Sequence, residues 1–326
     1  MVRTPDEPDD KPDIRLGISS CLLGEEVRYN GGYSRDEFML RNLGQFVRWI
    51  SVCPEVESGM GVPREAVRLV GDPVAPRMVG SRSGTDFTER IQEWNHLKID
   101  QLVKMNLHGY VFKSGSPSCG LMRVKVYNSE TNQSVNGSGL FPPDLKSAIP
   151  LLPMEEEGRL HDNRLRENFI ERIFVYARWS KLLSNTARPR DLVSFHSDLK
   201  LVLMAHSPKG QTTLGRIVAN AGNRPFNDVL EEYGRECMTQ LAFIATTRKH
   251  TNVLHHLMGY IKTQLDGEDK AELLEVIDQY RLGYVPLIVP ITLLKHHLRR
   301  NIVPAWVTRQ VYLNPYPNEL MLRNHV

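Results

Sequence analysis

The apolar positions in the first half of the chain follow two alternating patterns. Short apolar or aromatic runs bounded by turn residues occur at residues 15–19, 46–52 and 109–113, and each is typical of a buried strand. Between them, residues 35–43 and 87–105 show a helical period, and Asp86 with Glu89 predicts a capping box for the second helix. A smaller strand pair is predicted at residues 67–70 and 77–79. Strands that alternate with helices predict an α/β domain with a mainly parallel sheet.

The second half of the chain has long segments of helical period and little strand-like alternation. Helices are predicted at residues 165–183, 192–204, 226–246, 250–262 and 270–282. Residues 185–191, which include Pro189, are expected to form a linker. We therefore expect a disordered tail at residues 1–13, an α/β domain at residues 14–174 and an all-α domain at residues 185–318.

Composition and charge fit a folded protein of two domains. The 326 residues are 41% hydrophobic and 24% charged, and no apolar run reaches the ~20 residues of a membrane span. The N-terminal residues are acidic and proline-rich without an apolar signal segment, which predicts a cytoplasmic location. Residues 1–150 carry a net charge of −1 and residues 151–326 a net charge of +4. This asymmetry is too small to require a nucleic-acid partner.

Three of the four cysteines follow predicted strands. Cys21 comes after the first strand, Cys53 after the second and Cys119 in a Gly- and Ser-rich loop after the third. Because the carboxyl ends of parallel strands share one edge of a sheet, these distant thiols can converge on one point. Cys237 lies within a predicted helix and is expected to be structural.

The residues alone leave several interpretations of the three thiols open. They can be inert buried side chains, ligands of zinc with an open fourth position, or ligands of a [4Fe-4S] cluster in which one iron has no protein ligand. The sequence has no local C-x-x-C pair and lacks the H-x-E and P-C-x-x-C motifs of zinc deaminases. The cluster is therefore the preferred interpretation.

The segments around these cysteines carry a family resemblance. ISSCLLGEEVRYNGG, VCPEVESGMGVPRE and FKSGSPSCG, in this order, resemble the three signature blocks of the thiouracil desulfidase family. The resemblance covers residues 14–174. In the second half, LVSFHSDLKLVLMAHSP, HTNVLHHLMGYIK, YRLGYVPLIVPITLL and VYLNPYPNELMLRN resemble a helical companion domain. The combination is similar to the two-domain tRNA 4-thiouridine desulfidases.

The resemblance implies a function and a set of site residues. Cys21, Cys53 and Cys119 would hold a [4Fe-4S] cluster, Glu55 would be the acidic catalytic residue, and Ser114 would supply an active-site hydroxyl, with Ser116 as the alternative. The implied reaction converts 4-thiouridine in tRNA, or free thiouracil or thiouridine, to the oxygen compound, with release of sulfide and no net redox change. A Lewis-acidic iron suits a thiocarbonyl sulfur, and Glu55 suits a general base toward water.

The predicted helical domain offers groups that suit a folded RNA. Basic groups occur near its helix ends and aromatic side chains lie between them. The basic set is Arg248, Lys249, His250, Lys295, His296, His297, Arg299 and Arg300, and the aromatic set is Tyr280, Tyr284, Trp306, Tyr312 and Tyr316. The basic groups are explained nearly as well by a structural role, because positive side chains stabilise helix C-termini and keep a protein surface solvated. The spacing of His250, His255 and His256 argues against a metal site, because they do not share one helical face.

Other functions remain open on the sequence alone. One is a [4Fe-4S] lyase of the aconitase type, which would use arginines around its substrate, and another is a cluster-containing RNA-binding regulator, which needs no general base. Arg28 and Arg64 either bind phosphate or pair with glutamates, and pairing is favoured. No membrane and no obligate protein partner is expected, and the preference between tRNA and a free base stays undetermined.

Overall fold

The chain folds into two compact units that divide after Arg159. The structure is a computed structural model that describes residues 14–128, 130–185 and 187–326. The predicted disordered tail at residues 1–13 lies outside the described residues. Each unit buries its own set of large apolar side chains.

The first unit is built on two four-stranded sheets. Its strands, within the described residues, are β1 (Arg15–Ser19), β2 (Arg48–Val52), β3 (Val67–Asp72), β4 (Ala75–Gly80), β5 (Gly109–Phe112), β6 (Val124–Tyr127), β7 (Ser134–Gly137) and β8 (Met154–Glu156). The first sheet has the order β2-β1-β5-β8, and every neighbouring pair in it is parallel. This confirms the predicted α/β class with a mainly parallel sheet.

The four strands of the first sheet end at one level. Ser19 at the end of β1 lies opposite Val52 at the end of β2, and Phe112 at the end of β5 lies opposite Glu156 at the end of β8. Gly17 on β1 is required for this packing, because a Cβ atom there would lie 2.2 Å from the ring of Tyr110. The segments that follow the four strands therefore emerge along the same edge.

The second sheet has the order β4-β3-β6-β7, with β3 and β6 parallel and the two outer pairs antiparallel. The predicted strand pair corresponds to β3 and β4. Their apolar side chains join a core with those of neighbouring elements: Leu69, Met78, Ile91, Val124, Val126 and Leu140. Val67, at the start of β3, also lines the cavity that the cysteine loops form.

The helices of the first unit are α1 (Pro54–Glu57), α2 (Thr88–Lys104) and α3 (Phe141–Ala148). The prediction of a helix at residues 87–105 is confirmed by α2, but the capping box is wrong. Phe87 occupies the cap position, and Asp86 instead accepts hydrogen bonds from the amide and the hydroxyl of Thr88, at 2.9 and 2.5 Å. The predicted helix at residues 35–43 is a single π-helical turn at Phe38–Asn42 followed by a 3-10 turn.

The second unit is mainly helical, as predicted. Its helices are α4 (Asn163–Ser184), α5 (Pro189–His206), α6 (Pro208–Ala219), α7 (Phe226–Leu241), α8 (Thr247–Gly259), α9 (Gly267–Arg281), α10 (Ile288–Arg300) and α11 (Ala305–Thr308). Helices α6 and α10 were not predicted. In α10, Pro290 lies in the first turn, where an amide has no intrahelical partner to lose, so it does not interrupt the helix.

The position of the division differs from the boundaries expected from the sequence. Residues 160–174, which the sequence analysis assigned to the first domain, belong to the second unit. The stretch expected to be a linker, residues 185–191, lies between α4 and α5, within the second unit, and α5 begins at Pro189. Helix α4 packs against α7, which explains why it groups with the helical unit.

Charged side chains are buried together inside the second unit. Glu167 and Glu171 of α4 both face the guanidinium of Arg323, each at 3.5 Å. Glu171 also contacts Nε2 of His206 at 2.7 Å, and the hydroxyl of Tyr316 donates to Glu167 at 2.9 Å. Buried charges are tolerated when they are paired in this way. The network ties the segment around Arg323 to α4.

Among the described residues, no helix combines the length and the apolar character needed to cross a membrane.

Candidate active site at the ends of the parallel strands

The three cysteines singled out in the sequence surround one cavity. Cys21 lies in the 3-10 turn that directly follows β1, Cys53 follows β2 and caps α1, and Cys119 lies in the loop after β5. The cavity has a volume of about 210 Å³ and all three thiols line it. Gly24, with a φ of +90°, ends the turn that carries Cys21, a conformation that favours glycine. Cys237 lies buried in α7 of the other unit.

The surroundings of the thiols combine burial with a few stabilising groups. Burial raises the pKa values of Cys21 and Cys53 to about 11, and it raises that of Cys119 further. The positive charges of Lys113 and Arg28 lower the pKa of Cys21 in part. Hydrogen bonds from the backbone amides of Val56 and Glu55 lower the pKa of Cys53 in the same way. Ligation by a metal removes the thiol proton, so metal binding here would release protons.

The spacing of the thiols distinguishes between a single metal ion and a cluster. Thiolates that share one tetrahedral zinc ion, with bonds of ~2.3 Å, lie about 3.8 Å apart. Within the part of the chain that the structure describes, the one group of three metal-ligating atoms within 4.8 Å of one another lies elsewhere, in the second unit. At least two of the three sulfur atoms therefore lie more than 4.8 Å apart, farther than thiolates that share one zinc ion. This donor set fits a cluster of several irons, whose ligands bind different metal atoms.

Glu55 lies at the same cavity and is held on both carboxylate oxygens. Oε1 accepts a hydrogen bond of 2.7 Å from the hydroxyl of Ser118. Oε2 accepts from Nε of Arg64 at 2.9 Å and also from Nη2 of the same side chain. The remaining guanidinium bonds of Arg64 go to the carbonyls of Gly61 and Val27, at 2.8 and 2.9 Å. The expectation that Arg64 pairs with a glutamate is confirmed.

Ser114 lines the same cavity and contacts Glu157, a residue that no sequence motif indicated. Its hydroxyl donates to Oε1 of Glu157 at 2.8 Å, and its amide donates to Oε2 at 2.7 Å. Lys113 forms an ion pair with Glu157 and donates to the Ser114 hydroxyl at 3.2 Å. Glu157 follows β8, so its position at a strand end was the signal that could have identified it.

The serine loop contributes two further hydroxyls. Ser116 accepts a hydrogen bond of 3.2 Å from the amide of Cys119 and lies 3.1 Å from the Ser118 hydroxyl. Ser118 contacts Glu55 and lies 3.6 Å from the sulfur of Cys119. The three serines therefore have different neighbours. Ser118 connects the carboxylate to a thiol, whereas Ser114 belongs to the group around Glu157.

In the second unit, the aromatic set proposed for RNA stacking is only partly accessible. Tyr280, Tyr312 and Tyr316 are buried, so this part of the expectation is wrong for them, whereas Tyr284 is 77% exposed. Among the basic groups, Arg248, Arg299 and Arg300 are exposed. His250 is buried and contacts the hydroxyl of Tyr312 at 2.9 Å, while His255 and His256 are exposed. Burial lowers the pKa of His250 to about 3.

Comparison with known proteins places this site in a family. The family model for 2-thiouracil desulfurase matches residues 16–157. An Escherichia coli (strain K12) protein, uncharacterized protein YbgA, is 31% identical over 163 residues, which are 49% of this chain and 95% of that protein. The Bacillus subtilis (strain 168) uncharacterized protein YbbK is 31% identical over 137 residues, which are 40% of this chain and 89% of that protein.

Residues 16–157, which carry this site, belong to the 2-thiouracil desulfurase family. The family match ends at residue 157, so it includes the three cysteines, Glu55, Ser114 and Glu157. Residues 200–317 match a second family model, that of a protein of unknown function (DUF1722).

One solved structure that the chain resembles is titled "[4Fe-4S]-dependent thiouracil desulfidase TudS". The identity is 26%, the TM-score is 0.37, and the likeness covers 46% of this chain and 95% of that one.

Proposed function

We propose that the chain is a desulfidase that replaces the sulfur of a thiouracil ring by oxygen with the help of a [4Fe-4S] cluster held by Cys21, Cys53 and Cys119. One observation carries this proposal: three thiols from three strand ends line a cavity together with Glu55 and Ser114. Membership of the 2-thiouracil desulfurase family supports the reaction class. The donor set of three separated thiols supports the cofactor.

The cluster would supply an iron atom without a protein ligand, which is a Lewis acid suited to a thiocarbonyl sulfur. The chain's own residues would carry the proton transfers. Glu55, kept in place by Arg64 and Ser118, would take a proton from the attacking water and return it to the departing sulfur. The balance is one thiocarbonyl and one water in, one carbonyl and one hydrogen sulfide out, with no oxidant or reductant.

Ser114 and Lys113 would act on the oxygen that replaces sulfur. Glu157 holds the hydroxyl of Ser114 and the ammonium of Lys113 on the same carboxylate, so both groups are fixed before a substrate arrives. The positive charge of Lys113, held in place in this way, would stabilise a developing negative charge without reorganisation. In this proposal Ser114 remains the active-site hydroxyl, with Ser116 as the alternative: the single hydroxyl proton of Ser114, donated to Glu157 in the free chain, turns to the new oxygen when the substrate binds.

We further propose that the natural substrate is 4-thiouridine in tRNA and that the helical unit binds the RNA. The exposed side chains of Arg248, Arg299 and Arg300 support phosphate contacts, and exposed Tyr284 supports a stacking contact. Residues 151–326 carry a net charge of +4, and a positive charge favours binding to the negatively charged RNA backbone. Lys249 is a poorer candidate, since its ammonium donates to the carbonyl of His206 at 2.6 Å.

The decisive experiment uses the full chain, reconstituted anaerobically with iron and sulfide. Free 4-thiouracil and 4-thiouridine-containing tRNA are each added, and the loss of thiocarbonyl absorbance is followed together with sulfide release. We expect turnover of at least one of them and about four irons per chain. Failure to turn over any thiouracil compound at full iron content would overturn the proposed reaction, and binding of zinc alone would overturn the proposed cofactor.

The tRNA assignment has its own test. Arg248→Glu, Arg299→Glu and Arg300→Glu should each weaken tRNA binding and reduce the dependence of log K on log salt by about 0.7–0.9 per lost phosphate contact. Turnover of free 4-thiouracil should stay unchanged. Lys104→Glu, an exposed charge reversal in the first unit, is the matched control. Equal tRNA binding by all four variants would exclude this surface.

A further inference from the structure

Three metal-ligating side chains of the second unit meet where the first turns of α9 face the last turn of α10. Asp269 and Glu272 lie three residues apart on α9, and His297 lies on α10, which packs against α9. Residues three apart on a helix share a face. One ligand atom from each of the three side chains lies within 4.8 Å of the other two. None of these residues belongs to the cysteine site.

The imidazole of His297 provides a second, independent observation. Its side chain is only 5% exposed. Nε2 is buried and has no hydrogen-bond partner within the described residues, and Nδ1 lies 3.9 Å from Oδ2 of Asp269, which is too far for a hydrogen bond. Nδ1 is the ring nitrogen nearest to Asp269 and makes no hydrogen bond within the described residues, so it is the nitrogen that a ligand beside the two carboxylates would satisfy. The ring faces the carboxylate of Asp269.

We propose that Asp269, Glu272 and His297 bind one divalent transition-metal ion of the Zn²⁺ class. One imidazole nitrogen with two carboxylates suits such ions, whereas Mg²⁺ and Ca²⁺ prefer oxygen ligands alone. Ligand atoms around a tetrahedral ion at about 2.0–2.1 Å lie about 3.3 Å apart. Small movements of the two carboxylates bring the ligand atoms from separations of up to 4.8 Å to this distance, because the side chain of Asp269 is 46% exposed and Glu272 is exposed.

The ion would link α9 to α10 and leave one coordination position for water, because the chain supplies three ligands. The competing explanation is a plain ion pair between protonated His297 and Asp269. That explanation needs neither Glu272 nor a metal ion. The two therefore differ in whether Glu272 matters and in whether a metal changes the stability of the protein.

The test titrates Co²⁺ into the full chain loaded with its cluster, so that the three thiols are occupied. We expect one additional Co²⁺ per chain, with a difference spectrum against the Co²⁺-free protein that lacks Co²⁺–thiolate charge-transfer bands. Asp269→Asn, Glu272→Gln and His297→Gln should each raise the dissociation constant at least about 10-fold. Glu275→Gln, which lies about one helical turn beyond Glu272 on α9 and is exposed, and His296→Gln, the neighbouring exposed imidazole, should leave the dissociation constant unchanged.

A second readout is the thermal midpoint with and without added Zn²⁺. An ion that binds only the folded chain raises the midpoint, and this rise should disappear in the same three variants and persist in the two controls. The Asp269 and Glu272 variants alter side chains that are not buried and keep the test valid even if the His297 variant folds poorly. Absence of Co²⁺ binding, or binding that survives Glu272→Gln, would overturn the proposal.

Discussion

The hydroxyl of Ser118 donates a hydrogen bond of 2.7 Å to Oε1 of Glu55, although the two residues lie 63 positions apart in the chain. The same hydroxyl is 3.6 Å from the sulfur of Cys119. The loop that carries one thiol thus also fixes the carboxylate that follows another. With Arg64 on the second oxygen, Glu55 has a defined orientation toward the cavity.

Replacing Glu55 should separate catalysis from cofactor binding. We expect Glu55→Gln to retain full iron content and to lose about 10²–10⁴-fold in the rate of desulfuration, because the amide cannot accept a proton from water. The measurement is steady-state turnover of free 4-thiouracil at matched iron content. Glu93→Gln, an exposed carboxylate on α2, is the control. A Glu55 variant with near-normal turnover would refute the role of Glu55 as a base.

Ser118→Ala should lower the rate of desulfuration less than Glu55→Gln does. The variant keeps the ion pair with Arg64 but frees Oε1 of Glu55, so we expect about a 10-fold lower rate, the equivalent of one hydrogen bond of about 1.4 kcal/mol. The measurement compares turnover of Ser118→Ala with that of Ser116→Ala. If the two variants behave alike, the contact between Ser118 and Glu55 has no special importance.

Single replacements of the cysteines should divide them into two classes. Cys21→Ala, Cys53→Ala and Cys119→Ala should each lose the iron–sulfur cluster, since each would remove one of three protein ligands. Cys237→Ala should keep it, because Cys237 is buried in α7 of the other unit. Iron and sulfide analysis after anaerobic reconstitution provides the measurement. Retention of the cluster by any of the first three variants would contradict the assigned ligand set.

Glu157→Gln should affect both stability and rate. The buried carboxylate accepts from Lys113 and from the amide and hydroxyl of Ser114, and its replacement weakens these charge-assisted bonds. We expect a loss of about 1.5–3 kcal/mol in the free energy of unfolding, measured with urea. Turnover should also fall, whereas Glu65→Gln, which alters a partly exposed carboxylate that binds Ser83, should leave turnover intact. Unchanged turnover in Glu157→Gln would show that Ser114 needs no positioning.

The second unit should show a pH dependence that originates at His206. Burial alone would lower the pKa of His206, but its bond to Glu171 raises that pKa above the ordinary 6.5. Nδ1 also faces an acceptor, the carbonyl of Phe243 at 2.6 Å, so each nitrogen of the protonated ring has an acceptor. The folded chain therefore holds this proton more tightly than the unfolded chain. This stabilisation is fully present below pH 6.5 and is lost as the pH rises through the folded value.

The corresponding measurement is urea unfolding of the wild type and of His206→Gln from about pH 5.5 to about pH 9. The difference in unfolding free energy between them should shrink toward the alkaline end. His196→Gln is the control, because burial lowers the pKa of His196 to about 4 and the ring is neutral throughout this range. Parallel curves for the wild type and His206→Gln would contradict a charged His206.

The local pattern of the sequence determined the class of the first unit, its long helix α2 and most helices of the second unit. Apolar runs fixed β1, β2 and β5, and their parallel arrangement brought Cys21, Cys53 and Cys119 to one edge, because the ends of parallel strands share an edge whatever their distance in the chain. The motif around Glu55 also placed that residue beside a cysteine by sequence alone. These features depend on neighbours in sequence, or on a rule that holds for every parallel sheet.

Other features were decided only by the tertiary structure. One such feature is the contact between Ser118 and Glu55, which depends on the path of the serine loop. Another is the bond between Ser114 and Glu157, which depends on the register of β5 against β8. The same is true of Asp269, Glu272 and His297, which meet because α9 packs on α10, and of the buried tyrosines, whose exposure no periodicity specifies. Such contacts join residues far apart in sequence, and packing free energy, rather than local propensity, selects them.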